Sequence, residues 1–172
     1  MPLRAALIIG LLAPFVAADA SAGARTGEAV PWFRLTSMTG KQAVSKKTIR
    51  GKKVVLVIGR TQKSAPRCKR WILALVKDLP GVKVYQVIVI DKAWFIPRSL
   101  VMGKLRKFTP KHFRNDVLLE WYLAFAKQFS IEKDDYPTII GIDRGGTVRL
   151  RHKGELNNAR LKQVKALMSQ LK

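Results

Sequence analysis

Residues 54–79 read VVLVIGRTQKSAPRCKRWILALVKDL. The β-branched run from Val54 to Ile58 is bounded by a glycine on each side, which is typical of a buried strand. After a polar loop, Pro66 stands in the first turn of a predicted helix, where its missing N–H has no partner to lose. The apolar face of this helix follows at helical spacing: Trp71, Ile72, Leu75, Val76 and Leu79. The stretch therefore predicts a strand, a loop and a helix, and Cys68, the only cysteine of the chain, lies in the helix's first turn.

The composition places the chain among globular proteins with an unusual charge. Its 172 residues are enough for one domain with a core, and a hydrophobic content of 48% is ordinary. However, 33 Lys and Arg against 11 Asp and Glu give a formal net charge of +22. Such an excess attracts polyanions, acidic lipid headgroups or acidic proteins, although the same charges can simply form a solvated surface. No nucleic-acid-binding motif accompanies the charges, so we expect no nucleic-acid partner.

The first 22 residues have the pattern of a secretory signal peptide. Arg4 supplies the positive start, and Ala5–Ala18 form a short apolar stretch. Two A-x-A cleavage patterns follow, at Ala18–Ala20 and Ala20–Ala22. The apolar stretch is shorter than the roughly 20 residues of a membrane span, and an uncleaved interfacial anchor is the alternative. We therefore expect an exported protein without a transmembrane span once the signal is removed.

The rest of the chain predicts alternating strands and helices. Residues 23–30 are expected to be a flexible lead, and residues 31–172 a single domain. The predicted strands are Pro31–Leu35, Gln42–Val44, Val54–Ile58, Val82–Ile90, Pro137–Asp143 and Thr147–His152. The strand, helix and strand within residues 54–90 form a βαβ unit, whose strands should be parallel. Residues 45–53 are read as a polar turn, and Asn157 is expected to cap a last helix.

Two segments leave alternatives open. Arg98–Lys107 fits either a short helix or a basic loop. In the helix, the inward residues would be Leu100, Val101 and Leu105. From Asn115 onward the pattern favours a helix, although Phe113–Leu118 also fits the start of a strand. The predicted apolar face of that helix consists of Val117, Leu118, Trp121, Tyr122, Phe125 and Phe129.

This order of elements resembles the thioredoxin-like superfamily, in its redoxin and peroxiredoxin branch. Three motifs carry the resemblance: G-K-K-V-V-L-V at 51–57, Y-P-T at 136–138 and I-D-R-G-G-T-V-R at 142–149. It implies an α/β fold, a three-layer α/β/α sandwich with a central mixed sheet and an N-terminal β-hairpin. It also implies that Pro137 is a cis-proline facing the active-site loop. The insertion at 91–111 and the G-R-T loop further resemble the small periplasmic YtfJ-type proteins of Gram-negative bacteria, which implies a periplasmic location.

The chain departs from this family at the helix start. Active members keep a C-x-x-C, or one attacking cysteine after T-x-x. Here Thr61 opens the T-x-x spacing and Ser64 stands where the attacking cysteine would be. A serine hydroxyl offers no thiolate, and no His or Asp lies nearby in the sequence to activate it. The resemblance places Cys68 near the resolving position, which lies beneath the helix in this fold, and places Pro137 opposite the loop.

The same loop allows two further interpretations. A helix N-terminus and the basic neighbours of Cys68 would lower its pKa and make it reactive, whereas a half-buried, unreactive thiol is the alternative. The N–H groups of the helix start could bind an anion, and a solvated basic loop is the alternative. The residues of such a site would be Arg60, Lys63, Ser64 and Arg67. Glu132, Asp134 and Asp135 fit either an acidic rim of this pocket or the end of a helix.

We expect no metal and no cofactor, because His112, His152 and Cys68 give no metal-ligand spacing. Three functional hypotheses remain. The favoured one is an exported thioredoxin-fold protein that lacks the CxxC dithiol and is a non-catalytic binding or accessory module for a protein or anionic partner in the cell envelope. The second is a one-cysteine thiol oxidoreductase or peroxidase that uses Cys68. The third is a basic envelope-surface protein that binds polyanions or acidic lipid.

Overall fold

The computed structural model describes residues 24–91 and 95–171, so the predicted signal peptide and residues 92–94 of the insertion lie outside the described residues. The strands are β1 Arg34–Ser37, β2 Ala43–Ser45, β3 Val54–Gly59, β4 Lys83–Val89, β5 Val117–Glu120, β6 Thr138–Ile142 and β7 Val148–Lys153. The helices are α1 Lys46–Ile49, α2 Ser64–Asp78, α3 Arg98–Phe108, α4 Ala124–Gln128 and α5 Asn158–Gln170. None of the helices in the described ranges is both long and apolar enough to cross a bilayer.

Within the described residues, the strands form one mixed sheet in the order β2-β1-β5-β4-β3-β6-β7. β4 pairs in parallel with both β3 and β5, whereas β1–β2, β1–β5, β3–β6 and β6–β7 are antiparallel. The parallel pairing of β3 and β4 on either side of α2 confirms the predicted βαβ unit. Both predicted hairpins are also present, with the first strand lying at Arg34–Ser37 rather than at Pro31–Leu35.

Helices cover both faces of the sheet. All six residues of β3 are buried, and they alternate between the two faces because the side-chain period of a strand is two. On one face, Val55 and Val57 pack with Trp71 of α2 and Met168 of α5. On the other face, the core consists mainly of Phe33, Leu56, Ile58, Tyr85, Phe125, Phe129 and Ile140. The result is the three-layer α/β/α arrangement that the sequence predicts.

The inserted helix α3 covers the same face of the sheet as α2. Val84 of β4 packs with α2, and Ile88, four residues further on and therefore on the same face, contacts the α3 cluster. The residues of α3 that face the sheet are Val101, Met102 and Leu105. Leu100, which the sequence analysis expects inward, is 63% exposed. Therefore the helix alternative for this segment is confirmed, but its inward face is turned away from Leu100.

The helix expected from Asn115 is wrong in its first half. Residues 117–120 form the strand β5, all four of whose residues are buried, and helix α4 begins only at Ala124. The carboxylate of Glu120 ends the strand, because it accepts hydrogen bonds from the N–H groups of Tyr122 at 2.7 Å and Phe125 at 2.9 Å. The chain turns between them with Leu123 at a φ of 60°. The strand alternative for this segment is therefore the correct one.

Two smaller differences and one confirmation concern the segments at the ends of elements. Residues 24–30 pack along β7 rather than forming a flexible lead: Val30 is fully buried, and its N–H donates to the carbonyl of Gly146 at 2.8 Å. The polar segment after β2 contains the short helix α1, whose start Ser45 and Thr48 cap reciprocally. The predicted cap of the last helix is confirmed, since the Asn157 side chain accepts from the N–H of Arg160.

Candidate functional site

The loop between β3 and α2 is closed by two hydroxyl residues. The Ser64 N–H donates to Thr61 Oγ1 at 3.1 Å, and the Thr61 N–H lies 3.4 Å from Ser64 Oγ, an exchange like that of a capping box. The Ser64 hydroxyl also donates to the Thr61 carbonyl at 2.7 Å. Ser64 is only 1% exposed. The residue that replaces the attacking cysteine therefore holds the helix start together and is turned away from solvent.

Cys68 lies one helical turn further on and has no exposed surface. It belongs to the core between α2 and the sheet, together with Val57, Trp71 and Ile139. Burial raises the pKa of the Cys68 thiol to about 12, and a hydrogen bond with Ser64 offsets only part of this effect. The pKa of Cys68 is therefore shifted upward by burial, opposite to the direction that a helix terminus and basic neighbours would give.

Gly59 allows this close packing of α2 on β3. A β-carbon built on Gly59 would lie 2.7 Å from Ser64 Oγ and 2.9 Å from Cys68 Sγ. Both separations are shorter than contacts that real β-carbons make. The last residue of β3 must therefore lack a side chain for the helix to approach this closely.

Pro137 is buried at the start of β6, but the peptide bond that precedes it is trans. The chain enters β6 through an Asx turn, in which Asp134 Oδ1 accepts from the N–H of Tyr136 at 2.7 Å. The Pro137 carbonyl accepts from the N–H of Gly154 at 3.0 Å, and the Gly154 carbonyl accepts from Trp71 Nε1 at 3.0 Å. The cis-proline implied by the family resemblance is therefore corrected to a trans-proline that Gly154 connects to α2.

The basic residues predicted to bind an anion are instead paired with groups of the protein. Arg67 Nε donates to Glu155 Oε1 at 2.6 Å, which raises the pKa of Arg67 and lowers that of Glu155. The Arg67 guanidinium also lies over the ring of Tyr136, 5.1 Å from its centroid. Lys63 is 80% exposed at its side chain and lies 3.7 Å from Asp135.

Arg60 is directed away from the helix start. It donates to the carbonyl of Ile131 at 2.7 Å and lies 3.5 Å from Asp91. The pKa of Asp91 is lowered first by Lys133 and also by Arg60. Therefore Arg60, Lys63, Ser64 and Arg67 do not converge on one open anion site: Arg60 is directed to Ile131 and Asp91, and Arg67 to Glu155. Arg60 Nε is buried and has no hydrogen-bond partner among the described residues.

Asp135 faces the loop and supports the acidic-rim interpretation. It accepts from the Thr61 hydroxyl at 2.9 Å, whereas Asp134 pairs with Lys153 and has a lowered pKa because of that hydrogen bond. The pair precedes the Y-P-T motif in the sequence, which is the signal that points to it. Glu155 and Asp91 have no such signal, because they are far from the loop in sequence.

Comparisons with known proteins give a consistent fold. The structure resembles the exposed lipoprotein thioredoxin of Streptococcus pneumoniae with a TM-score of 0.61 and 18% identity, covering 79% of this chain and 98% of the other. It resembles the thiol peroxidase of Chromobacterium violaceum with a TM-score of 0.60 and 14% identity, covering 87% and 89%. It resembles BsSco, of the Sco family of cytochrome c oxidase assembly proteins, with a TM-score of 0.56 and 18% identity, covering 83% and 94%. The chain has a thioredoxin-like fold. No protein-family model and no curated protein matches the sequence.

The thioredoxin-like fold predicted from the sequence is thus confirmed, including its central mixed sheet. Its loop at the start of α2 carries a buried hydroxyl and, one turn deeper, a buried thiol with a high pKa. The hydrogen bonds of Ser64 run to Thr61 and Cys68, so the carboxylate of Asp135 reaches this serine only through Thr61. A nucleophile needs both access and a base or a low pKa, and this arrangement supplies neither.

The sequence analysis misses an open groove of about 260 Å³ beside α4. Its lining residues are Arg60, Leu123, Ala126, Lys127, Ser130, Ile131 and Glu132. Leu123 and Ser130, at the two ends of α4, both have positive φ, of 60° and 47°. The sequence does not indicate this groove, because Leu123 and Ser130 are not residue types that mark a positive φ as glycine does. In the described ranges, no group of three His, Cys, Asp or Glu side chains could hold a metal ion.

Proposed function

We propose that this protein is an exported, non-catalytic member of the thioredoxin-like fold that acts as a binding or accessory module in the cell envelope. The observation that carries the proposal is the complete burial of Cys68 beneath α2, behind a serine that is itself buried. The thiolate, not the thiol, is the nucleophile. Because burial raises the pKa of Cys68 to about 12, the sulfur is held as the protonated thiol at pH 7.

Export and a periplasmic location are part of the same proposal. They are supported by the signal-peptide pattern of the first 22 residues. The resemblance of the 91–111 insertion and the G-R-T loop to YtfJ-type proteins favours the periplasm. One protein of similar structure is described as an exposed lipoprotein, which is compatible with a thioredoxin-like fold outside the cytoplasm. The partner is proposed to be a protein or an anionic component of the envelope.

The competing enzyme hypothesis requires the buried Cys68 sulfur to become accessible. Cys68 would have to reach a disulfide or a peroxide. This requires the first turn of α2 to move away from Gly59 and from the core beneath the helix. One sulfur would then form a mixed disulfide or a sulfenic acid that an external thiol must resolve. No contact of Cys68 in the described structure favours that opening over the packed state.

The test compares the purified mature protein with its Cys68→Ala variant in two assays, thiol-dependent reduction of insulin disulfides and thiol-dependent consumption of hydrogen peroxide. We expect that neither protein raises the rate of insulin reduction or of peroxide consumption above the rate measured when no protein is added. Activity in the wild type that Cys68→Ala lacks would overturn the proposal. In cells, the Cys68→Ala chain should restore the wild-type phenotype to a deletion strain as fully as the wild-type chain does.

A further inference from the structure

The segment 95–115, which contains α3, concentrates positive charge on one part of the surface. It contains six Lys and Arg residues and no Asp or Glu. These residues are Arg98, Lys104, Arg106, Lys107, Lys111 and Arg114. Its charge per residue therefore exceeds that of the chain as a whole, and it is of one sign only.

Two of the six arginines and lysines fix the segment to the protein. The Arg98 guanidinium lies over the rings of Trp121 and Tyr122, 5.0 and 5.1 Å from their centroids. Arg114 donates to the carbonyl of Arg106 at 2.7 Å and to that of Thr109 at 3.0 Å, which satisfies the C-terminal end of α3. The two ends of the helix are thus held in place, and its outer face is presented in a fixed orientation.

The outer face of α3 combines lysines with large apolar side chains. Leu100, Lys104 and Phe108 are spaced by four residues and Lys107 follows Lys104 by three, which places them on one side of a helix. Leu100 is 63% exposed and Phe108 is 80% exposed. The opposite side of α3, with Val101, Met102 and Leu105, packs on the sheet. The fold therefore uses one apolar face of α3 and leaves a second apolar and basic face in solvent.

The charges on this outer face are not neutralised by the protein. Among the described residues, no carboxylate lies within salt-bridge distance of Lys104 or Lys107 on this face, nor of Arg106 and Lys111, which belong to the segment but not to this face. By contrast, the carboxylates near the helix start of α2 are all paired with cations. The surface is thus complementary to an anionic one.

We propose that the α3 segment binds the surface of a bilayer that contains anionic phospholipid. Lys104 and Lys107 would pair with headgroup phosphates, while Leu100 and Phe108 enter the interface between headgroups and acyl chains. Lys111, just after α3, would add positive charge to the same part of the segment. The lysine stems can lie along the apolar side chains while their ammonium groups remain among the headgroups. A soluble polyanion would account for the charges but would give Leu100 and Phe108 nothing to enter.

The test is co-sedimentation of the mature protein with vesicles of phosphatidylcholine alone and of phosphatidylcholine with phosphatidylglycerol. We expect binding to the anionic vesicles only, weaker at high salt because exposed charges are screened. Lys104→Gln/Lys107→Gln/Lys111→Gln should weaken binding by about tenfold or more. Leu100→Ser/Phe108→Ser should also weaken it, and it should not unfold the protein because both side chains are exposed. Circular dichroism and thermal unfolding check the fold of each variant.

The matched control is Lys47→Gln/Lys52→Gln/Lys127→Gln, which removes three exposed charges. Lys47 of α1 and Lys127 of α4 belong to helices that pack on the opposite face of the sheet. An equal loss in this control would show diffuse charge attraction and would overturn the proposal. So would a loss in the lysine variant with none in Leu100→Ser/Phe108→Ser, since this is the behaviour of a soluble polyanion site. Neither result depends on Cys68, so both leave the proposed lack of thiol chemistry untouched.

Discussion

The Ser64 hydroxyl and the Cys68 sulfur both pack against Gly59 of β3, which leaves room for them because it has no side chain. Their atoms lie 2.7 Å and 2.9 Å from the position that a β-carbon on Gly59 would take. The two residues that matter for thiol chemistry in this fold are therefore parts of a packing contact between α2 and the sheet. Chemistry at either one would have to break that contact first.

We predict that Gly59→Ala lowers the free energy of unfolding by about 1–3 kcal/mol, the usual cost of overpacking a core. Equilibrium unfolding in urea measures this loss. The triple variant Gly59→Ala/Ser64→Ala/Cys68→Ala should be compared with the double variant Ser64→Ala/Cys68→Ala. Because both atoms that would clash are absent, Gly59→Ala should lower the free energy of unfolding less in this background than in the wild type. Gly81→Ala is the control, because a β-carbon there has no atom within 4 Å. If Gly59→Ala is as stable as Gly81→Ala, the contact is looser than described.

The sequence predicts the β3–α2–β4 unit well because its signals are local. The strand is a short β-branched run and α2 has a clear helical period, so each element is decided by its own residues. Strand β5 is predicted only as the less favoured alternative, because Val117 to Leu119 are followed by aromatic residues at helical spacing. Pairing with β4 and β1, which are distant in sequence, decides that these residues are a strand. Long-range pairing of this kind leaves no period in the sequence.

The site is predicted in position but not in character. The T-x-x-S spacing correctly places Ser64 and Cys68 at the start of α2. Whether Cys68 is reactive depends on how closely α2 approaches β3, and this is set by Gly59 and by residues such as Ile139 on another strand. In the same way, Glu155 neutralises Arg67 from 88 positions away. Charges near one another in sequence suggest an anion site, but these distant carboxylates cancel it.

The second prediction concerns the accessibility of Cys68. The thiol should resist a disulfide reagent such as dithionitrobenzoate at pH 8 in the native protein and should react fully in denaturant, because burial excludes the reagent and raises the pKa to about 12. Absorbance of the released thiolate measures both rates. Rapid reaction of the native protein, at the rate of the denatured one, would show that the first turn of α2 opens freely.

The same group should make stability depend on alkaline pH. Burial raises the pKa of Cys68 from an ordinary value of 9.0 to about 12 in the folded chain, so above pH 9 the folded chain holds a proton that the unfolded chain releases. This contribution is fully present below pH 9 and is lost as the pH rises towards 12. The free energy of unfolding should therefore fall more steeply from pH 9 to 10.5 in the wild type than in Cys68→Ala. Parallel slopes in the two proteins would contradict the prediction.

A fourth prediction concerns His152, whose ring centroid lies 5.8 Å from that of Trp71. Its Nε2 is buried and has no hydrogen-bond partner among the described residues. Burial lowers the pKa of His152 below 6.5, and Arg160 lowers it further. The unfolded chain therefore binds a proton first as the pH falls, and stability that is complete above pH 6.5 is lost below it.

His152→Gln removes this titration while keeping a polar side chain. We expect the wild type to lose more stability than His152→Gln between pH 7 and pH 5, as measured by urea unfolding at each pH. His112→Gln is the matched control, because His112 is exposed and should leave the wild-type dependence unchanged. If His152→Gln keeps the full loss, other groups cause the acid sensitivity.

The last prediction concerns the link between Thr61 and Asp135. The Thr61 hydroxyl accepts from the N–H of Ser64, the first residue of α2, and donates to Asp135, so it satisfies one N–H of the helix start and ties the loop to the turn before β6. Thr61→Val keeps the shape of the side chain but loses both hydrogen bonds, and it should lower the free energy of unfolding by about 1 kcal/mol, the typical cost of losing a helix cap. Asp135→Asn keeps an oxygen that can accept from Thr61 and should cost less, because it removes only the weak pairing with exposed Lys63. The free energies of unfolding of both variants in urea show whether the hydrogen bonds of Thr61 or the charge of Asp135 stabilise the loop more. A larger loss in Asp135→Asn than in Thr61→Val would show that the charge of Asp135, rather than the hydroxyl of Thr61, holds the loop in place.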